Sequence, residues 1–357
     1  MSHERVLTNE LGDAAAGQIA NPGPADDLPE GERSISLGER LRSPRTIASF
    51  VIAAIIIFLA FRSLNVDLGD VVTQVGNANP VYLALAFMTY YASFPLRATR
   101  WRFLLRNAGI SRTAGFNVPN TLGLSEIYVL SWFVNCIIPA KLGDAYRGYL
   151  LKKNAGPSFS RTLGTIFAER LLDIVALVGL MVLSGLFVFR GTVPSDLRGW
   201  FIAGTVLVIL GIGGLIVLIT MSDRIEARVP ERARPYYSRL SSGIVTSFSR
   251  NGFWSVSGLT VLIWVFEGAR VYLASKALGV DLSITSAVFV ALLASLLTTF
   301  PLTPAGVGVV EFGIVKALEQ LDIATSDATA VALVDRGIAS YSVIIIGGLL
   351  YLFSKRK

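Results

Sequence analysis

Histidine and cysteine each occur only once in this sequence of 357 residues, and their scarcity excludes several classes of function. A single cysteine, Cys136, can form neither an intrachain disulfide nor a thiolate metal cluster. The only histidine, His3, lies in a polar N-terminal stretch, so histidine-based catalysis, haem ligation and the usual zinc motifs have no basis. No P-loop motif is present, so ATP hydrolysis is not expected. The sequence therefore predicts a protein without a metal or another cofactor.

Charged residues are also scarce, at 16%, whereas 53% of the residues are hydrophobic. A soluble protein usually has about a quarter charged residues. Several apolar runs are long enough to cross about 30 Å of hydrocarbon, which needs about 20 residues. The net charge of +7 does not favour nucleic-acid binding, because arginines beside membrane segments ordinarily set topology. The composition predicts an all-α polytopic membrane protein.

The first part of the chain differs from the rest. Residues 1–44 are polar and lack the apolar core of a signal peptide. We expect a disordered cytoplasmic tail there, followed by a transmembrane domain over 45–353 and a basic cytoplasmic end over 354–357.

Eight apolar segments are separated by loops that differ in their content of basic residues. The segments cover about 46–62, 79–96, 122–139, 163–189, 199–220, 253–275, 284–300 and 329–353. If all eight crossed the membrane, the loop 221–251 and the loop with Lys152 and Lys153 would lie outside, against the positive-inside rule. If the third and seventh segments enter, break and leave on one side, every basic cluster and both termini are cytoplasmic. The charges therefore predict six transmembrane helices and two re-entrant helical hairpins, with both termini cytoplasmic.

Prolines and glycines lie where the two re-entrant segments would turn. From Ser125 to Pro139 an α-helix would rise about 21 Å, which is less than the hydrocarbon core. The residues predicted to form the hairpin breaks are Pro139, Gly143, Pro301, Pro304, Gly306 and Gly308. Irregular backbone at this depth is tolerated only when it is buried in protein or lines a wet cavity.

A pattern of Pro-Ala, a glycine, an acid and a later acid–arginine pair occurs twice. Its members are Pro139, Ala140, Gly143, Asp144, Glu169 and Arg170 in the first copy, and Pro304, Ala305, Gly308, Glu311, Asp335 and Arg336 in the second. The proline and the arginine are 31 positions apart in the first copy and 32 in the second. Because the hairpins enter from opposite sides in the predicted topology, we expect inverted repeats over about 122–190 and 284–353. This architecture is associated with alternating access.

Charged side chains inside the predicted membrane helices are the candidate substrate-binding residues. Arg170 and Arg336 lie well inside their helices, and a central charge costs roughly 2.5–3.5 kcal/mol on insertion scales. Both should therefore face the bundle interior and find partners. The candidate partners are Asp144, Glu169, Asp173, Glu311 and Asp335. Such pairs either lock helices together or form a transport site, and their repetition beside two broken helices favours transport.

The hairpins indicate what this site would bind. The N-terminus of a returning half-helix offers free N–H groups and a positive dipole end, which suit phosphate or carboxylate. Lys141 and Arg147 add positive charge to the first hairpin, and Thr303 adds a hydroxyl to the second. Asn135 either bonds the substrate or caps the broken helix. Together with the two helix arginines, these residues predict a pocket for an anionic headgroup.

Two further charged stretches have open interpretations. Arg97 and Arg100 either gather anionic lipid headgroups or signal topology. Glu267 and Arg270, three residues apart in one apolar segment, either lock helices together or line a substrate path.

The motifs together resemble the lysylphosphatidylglycerol synthase transmembrane region, also called the flippase-like family, over about residues 45–353. The resemblance rests on RATRWRFLLRNAG, NCIIPAKLGDAYRGYLLKK, FAERLLDIVAL, PLTPAGVGVVEFGIVKAL and LVDRGIASYSV. It implies an integral inner-membrane protein that translocates lipid. In some members this region is fused to a cytoplasmic synthase that attaches an amino acid to phosphatidylglycerol. The sequence ends at Lys357 without such a domain, so aminoacyl transfer is not expected.

The resemblance also implies partners and site residues. Other relatives resemble partners in cell-envelope or glycolipid assembly, which makes a polyprenyl-phosphate sugar a second substrate class. A separate lipid synthase or glycosyltransferase would supply the lipid. The residues carried over are Pro139, Lys141, Gly143, Asp144, Arg147, Glu169, Arg170, Pro304, Gly306, Gly308, Glu311 and Arg336.

The sequence thus predicts translocation of a phospholipid or a lipid-linked anionic headgroup between membrane leaflets by alternating access. Three alternatives stay open. One is a membrane-embedded transferase with Asp144 or Glu169 as base, another is a secondary transporter of a small anion, and the third is a non-transporting scaffold for a synthase. A homo-oligomer is compatible with the sequence.

Overall fold

The computed structural model describes residues 68–138, 142–191, 195–248, 252–299 and 303–357. Within these ranges the secondary structure is helical and contains no strand, which confirms the predicted all-α class. The predicted tail (1–44) and the first apolar segment (46–62) lie outside the described residues. Three residues of the predicted hairpins, Pro139, Lys141 and Pro301, also lie outside them.

Twelve α-helices follow one another through the described ranges. They are α1 (Leu68–Gly76), α2 (Pro80–Asn107), α3 (Thr121–Ile137), α4 (Leu142–Ala155), α5 (Phe159–Val188), α6 (Ser195–Arg228), α7 (Arg234–Ser247), α8 (Phe253–Ala277), α9 (Ile284–Thr299), α10 (Val309–Glu319), α11 (Thr325–Arg336) and α12 (Ser342–Phe353). Short 3₁₀ turns occupy Arg112–Ala114 and Pro304–Gly306. A π-helical turn, Gly337–Tyr341, joins α11 to α12, so that Thr325–Phe353 is one long helix.

Polar side chains fix where several of these helices begin. The Asn79 side chain accepts a hydrogen bond from Val81 N–H, and Pro80 is the first residue of α2. Asn120 caps α3 and Ser158 caps α5 in the same manner. These residues satisfy N–H groups that a helix leaves unpaired at its start, and Pro has a pre-set backbone angle suited to the first turn. The starts of α2, α3 and α5 are therefore encoded locally.

Four helices are long and apolar enough to cross a membrane. They are Phe159–Val188, Phe201–Leu218, Phe253–Ala277 and Thr325–Phe353. The second predicted crossing coincides with α2, which has 28 residues but carries four arginines in its second half. The third and seventh predicted segments coincide with α3 and α9, which are apolar but have only 17 and 16 residues. At 1.5 Å per residue both are about 25 Å long, shorter than the hydrocarbon core of about 30 Å.

The helices α3 and α4 form one hairpin, and its open end faces the C-terminal residues. Near the turn, Gly143 is hydrogen-bonded to Ser131 and Asn135 of α3. At the other end, Arg356 bonds Glu126 of α3 through its side chain and Asn154 of α4 through its carbonyl. This end of the bundle also contains the ends of α2 and α7, where Asn107 Nδ2 donates a hydrogen bond to the Ser247 carbonyl.

The helices α9 and α10 form a second hairpin that opens at the opposite end of the bundle. Leu297, late in α9, lies against Gly313, early in α10. The helix α9 begins shortly after α8 ends, and the Ala277 carbonyl of α8 accepts a hydrogen bond from Asn79 N–H. At the same end, Gln74 of α1 bonds Asp327 of α11. The two hairpins thus reach into the helix bundle from opposite ends.

Candidate functional site

Glu169, in α5, is the centre of a fully buried ion cluster. Its carboxylate accepts hydrogen bonds from Arg100 of α2 at 3.1 Å, from Arg147 of α4 at 3.2 Å and from the Tyr128 hydroxyl of α3. The side chains of Glu169, Arg100 and Arg147 have no exposed surface. One carboxylate therefore joins the first hairpin to two long helices.

Asp173, one turn further along α5, supplies the second negative charge of this cluster. Arg100 donates to both of its carboxylate oxygens, at 2.5 and 3.0 Å. The guanidinium of Arg147 stacks on two rings, 4.7 Å from the centre of Trp101 and 4.3 Å from that of Tyr128. Two acids thus compensate two arginines, which a buried charge requires.

Arg170, the residue after Glu169 in α5, holds the start of α4. It donates to both carboxylate oxygens of Asp144, from Nε at 2.9 Å and from Nη2 at 3.0 Å. A weaker contact of 3.4 Å reaches Asp173. The Arg170 side chain is 27% exposed and that of Asp144 is 19% exposed. Trp132 of α3 lies beneath the Arg170 guanidinium, at 5.4 Å from the ring centre.

The break of the first hairpin is closed by the chain itself. Asn135 Oδ1 accepts a hydrogen bond of 2.8 Å from Gly143 N–H and so caps the first turn of α4. Ser131 Oγ donates to the Gly143 carbonyl at 2.8 Å. A Cβ at position 143 would collide with the Ser131 carbonyl oxygen, so only glycine fits here. Of the two interpretations of Asn135, capping is the one that its contacts support.

The break of the second hairpin has an analogous closure. Glu311 Oε2 accepts a hydrogen bond of 2.6 Å from Gly308 N–H, and its Oε1 accepts one of 3.2 Å from Arg336 Nε. Arg336 Nη2 also donates to the Ala305 carbonyl at 2.5 Å. Ala305 has a left-handed backbone with φ of 53° and is followed by Gly306 at 71°. A non-glycine residue in this region is strained, and such strain occurs preferentially at functional positions.

A third group of ion pairs joins α2, α8 and α11. Arg97 of α2 donates to Glu267 of α8 at 2.5 Å, and Glu267 also accepts from Arg270 at 3.0 Å. Arg270 continues to the Asp335 carboxylate of α11 and to its carbonyl. Glu267 and Arg270 lock helices together through these contacts, and they also line the cavity described next. Both interpretations of this pair, helix locking and a substrate path, are therefore compatible with the structure.

A cavity of about 200 Å³ lies where the two hairpin breaks meet these ion pairs. Ile138 and Thr303 line it from the two hairpins, and Thr298 and Thr299 line it from the end of α9. The π-helical turn contributes Ala339, whose carbonyl is hydrogen-bonded to Tyr90. π-helical turns within a helix frequently mark functional sites.

The charges that line the cavity are balanced among the described residues. The basic residues are Arg97, Arg170, Arg270 and Arg336, and the acidic residues are Asp144, Asp173, Glu267 and Asp335. Each of these arginines is already hydrogen-bonded to at least one acid. The cavity is therefore polar and strongly charged but carries no net charge from the part of the chain that the structure describes.

The structure brings most of the predicted site residues to this cavity. Those that line it are Asn135, Asp144, Arg170, Asp173, Thr303, Asp335, Arg336 and Gly306. Glu311 and Gly308 lie directly behind Arg336, whereas Glu169 and Arg147 are buried in the neighbouring cluster. Gly143 lies beside Asn135, and Pro304 begins the 3₁₀ turn of the second hairpin.

Four residues of the cavity and the adjoining cluster are not among the predicted site residues: Arg97, Arg100, Tyr128 and Trp132. Arg97 and Arg100 lie one turn apart in α2, and both are buried. The rule that singled out Arg170, a charge inside a membrane helix, applies to them as well. These two arginines lie close to a basic loop, where the positive-inside rule already explains arginines, so the sequence alone does not distinguish a role in topology from a role in the site.

Long apolar helices and two broken hairpins around a charged interior cavity define a multi-pass helical membrane protein with an internal polar site. The chain belongs to the family described as the lysylphosphatidylglycerol synthase TM region, which matches residues 46–347. This finding confirms the resemblance seen in the motifs.

Curated relatives come from archaea. The UPF0104 membrane protein MJ1078 of Methanocaldococcus jannaschii is 32% identical over 225 residues, which cover 63% of this chain and 95% of that protein. A UPF0104 membrane protein of Methanothermobacter thermautotrophicus is 24% identical over 317 residues, covering 82% of this chain and 91% of the relative. Glycosyltransferase AglD of Haloferax volcanii is 28% identical over 333 residues, covering 82% of this chain but only 52% of AglD.

Proposed function

We propose that this protein carries the anionic headgroup of a membrane lipid between leaflets by alternating access. The observation that carries the proposal is a duplicated ion pair between a broken hairpin and a long helix. Arg170 of α5 holds Asp144 at the first hairpin break, and Arg336 of α11 holds Glu311 at the second. Transporters built from inverted repeats with broken helices bind substrate at the repeat interface, and residues from both hairpin ends line this cavity.

A second layer of ion pairs is duplicated in the same manner. Arg170 and Arg336 are each preceded in the sequence by an acid, and that acid forms an ion pair with an arginine of another long helix. Glu169 is bonded to Arg100 of α2, and Asp335 is bonded to Arg270 of α8. This correspondence supports inverted repeats over 122–190 and 284–353, with α2 and α8 in equivalent places.

The proposed topology has six crossings and two re-entrant hairpins, within a transmembrane domain over 45–353. The lengths of α3 and α9 support it, because each ends before it could span the hydrocarbon core. Lys153, Arg356 and Lys357 lie together at the end where the first hairpin opens. By the positive-inside rule this end is cytoplasmic, which supports cytoplasmic termini in an inner cell membrane.

The size and chemistry of the cavity support a headgroup rather than a whole lipid as its occupant. A volume of about 200 Å³ accommodates a phosphate-sized polar group, and the acyl or isoprenoid chains would stay in the bilayer. The bidentate Arg170–Asp144 pair has the geometry in which arginine also binds phosphate. An incoming phosphate would therefore exchange with the carboxylate on the same nitrogens.

Two lipid classes fit the proposal, a phospholipid and a lipid-linked headgroup of the polyprenyl-phosphate type. The family description names lysylphosphatidylglycerol synthase, whose lipid is a phospholipid, and this favours the first class. The relative named glycosyltransferase favours the second. In either case a separate lipid synthase or glycosyltransferase would supply the lipid.

The test is a leaflet-accessibility assay in proteoliposomes with fluorescent phospholipid and isoprenoid-phosphate analogues. We expect transfer above empty liposomes for the wild type and its loss in Arg170→Ala. The matched control is Lys276→Gln, which breaks an ion pair with the exposed Asp281; neither residue lines the cavity, so this variant should transfer normally. Absence of transfer for both lipid classes would contradict the proposal.

One alternative, a membrane-embedded transferase, is favoured by the name of the relative AglD. It predicts a modified lipid when the purified protein is incubated with a lipid-linked donor and an acceptor. Lipid transfer without any product separates translocation from this alternative.

A further inference from the structure

One ion pair of the cavity is much more accessible than the others. The side chains of Arg170 and Asp144 are 27% and 19% exposed. The other cavity arginines, Arg97, Arg270 and Arg336, have side-chain exposures of 6%, 4% and 5%. An anion that enters the cavity therefore meets Arg170 first and competes with Asp144 for its guanidinium.

Binding of an anion changes the charge of a balanced site. The four arginines and four acids that line the described cavity sum to zero, and a phosphodiester adds one negative charge. Once displaced from Arg170, the Asp144 carboxylate would lie unpaired beside a bound anion in the interior of a membrane protein. A carboxylate in such surroundings becomes neutral rather than staying charged.

No second cation in the described ranges is free to compensate Asp144. Besides Arg170, the cations that line the cavity or belong to the adjoining ion cluster are Arg97, Arg100, Arg147, Arg270 and Arg336. Each is bound to another acid: Arg97 to Glu267, Arg100 and Arg147 to Glu169, Arg270 to Asp335 and Arg336 to Glu311. Lys152 and Lys153 lie in the last turn of α4, at least about 12 Å along the helix from Asp144. The remaining titratable groups around Asp144 are acids, the Tyr90 and Tyr128 hydroxyls and the Cys136 thiol, which add no positive charge.

We infer that Asp144 takes up a proton when a headgroup phosphate binds Arg170, so that one proton travels with each anionic headgroup. This inference rests on the proposed function. The phosphate oxygens accept the hydrogen bonds of Arg170 Nε and Nη2 that Asp144 releases. A proton from the water on the side to which the cavity is open binds a carboxylate oxygen of Asp144. Release on the other side reverses both exchanges, so the cavity stays neutral throughout.

Titration calorimetry on the purified full chain tests the inference without requiring transport. The probes are dihexanoyl phosphatidylglycerol and dimethyl phosphate, two phosphodiesters that do not themselves titrate near neutral pH. Binding is measured in buffers of different ionisation enthalpy, so that the slope of the measured heat gives the protons taken up. We expect about one proton per bound anion for the wild type, as proton linkage requires. If only dihexanoyl phosphatidylglycerol binds, the site recognises a lipid headgroup. If dimethyl phosphate binds equally well, the site recognises phosphodiesters in general.

Variants separate the role of Asp144 from that of other acids. Asp144→Asn should bind the probe without proton uptake, and Asp144→Glu should restore the uptake. Asp281→Asn, at an exposed acid paired with Lys276, should behave as the wild type. Wild-type binding without proton uptake, or unchanged uptake in Asp144→Asn, would overturn the inference but leave the proposed function intact. Absence of binding by both probes would overturn the two together.

Discussion

The acids Glu169 and Asp144 each form an ion pair between the first hairpin and α5, but they differ in their access to water. The Glu169 carboxylate has no exposed surface and bonds Arg100 and Arg147, which also have none. The Asp144 pair with Arg170 is partly exposed. The first arrangement suits a fixed structural centre, whereas the second suits an exchangeable contact.

We therefore expect Glu169→Gln to destabilise the protein much more than Asp144→Asn. Removal of one partner of a buried ion pair costs about 3–5 kcal/mol, because the remaining charge is uncompensated. The loss is smaller where water reaches the pair. The measurement is thermal unfolding of both variants and the wild type in the same detergent. Equal shifts of the two midpoints would contradict this assignment of roles.

Individual residues also show how far the sequence could be interpreted. Asp144 and Glu311 were predicted as partners for the helix arginines, because they follow glycines at equivalent places in a repeat, and each holds one of them. Arg100, in contrast, is 69 residues from Glu169. No periodicity encodes a contact across that distance, so its place in the cluster follows only from packing.

At the scale of elements, Gly143 determines how closely α4 approaches α3. A Cβ there would overlap the Ser131 carbonyl oxygen and the Asn135 side chain, which caps α4. We expect Gly143→Ala to abolish lipid transfer and to lower the unfolding temperature. The control is Gly179→Ala in α5, where an added Cβ meets no atom within 4 Å. Wild-type transfer by Gly143→Ala would show that this contact is dispensable.

The two hairpins are fastened to their neighbouring long helices to different degrees. Two ion pairs one turn apart join α4 to α5, through Asp144 and through Arg147. The second hairpin has one such pair, through Glu311, and the residue one turn later is the apolar Ile314. By ion pairs with the long helices, the second hairpin is the less constrained of the two.

We expect amide hydrogen exchange to be faster in residues 303–319 than in residues 142–155. Local opening follows the stability of the contacts that hold an element, and the first hairpin has the additional buried pair. The measurement is exchange mass spectrometry on the wild type and on Arg147→Met, which removes that pair. The variant should bring the exchange of the first hairpin closer to that of the second. Faster exchange of the first hairpin in the wild type would contradict the proposed difference.

Hairpin ends show which features of the elements the sequence could encode. The positions of the breaks follow from prolines and glycines, and the structure ends α3 at Ile137 and α9 at Thr299 accordingly. The sequence predicts free N–H groups at the starts of the returning helices. In the structure Asn135 and Glu311 bond the N–H groups of Gly143 and Gly308. This closure depends on the angle between two helices, which local sequence does not set.

At the scale of the whole molecule, the C-terminal residues tie the last helix to the base of the first hairpin. Glu126 of α3 accepts hydrogen bonds from Ser354 at 2.6 Å and from Arg356 at 3.0 Å. The Arg356 carbonyl accepts one of 2.9 Å from Asn154 of α4. The long helix Thr325–Phe353 carries Arg336 at the cavity. The contacts therefore connect the first hairpin to the helix that holds the second.

This connection leads to a prediction about which parts move during transport. If the second hairpin moves and the first stays with the last helix, a covalent bridge between Glu126 and Arg356 leaves lipid transfer intact. Both positions would be changed to cysteine in a Cys136→Ala background and joined by a bismaleimide reagent, with the unbridged variant as control. The Glu126–Arg356 pair is 26% and 34% exposed, so its loss should cost no more than about 1 kcal/mol. Transfer that stops only after bridging would show that the first hairpin moves against the last helix. The different number of ion pairs at the two hairpins would then not decide which hairpin moves.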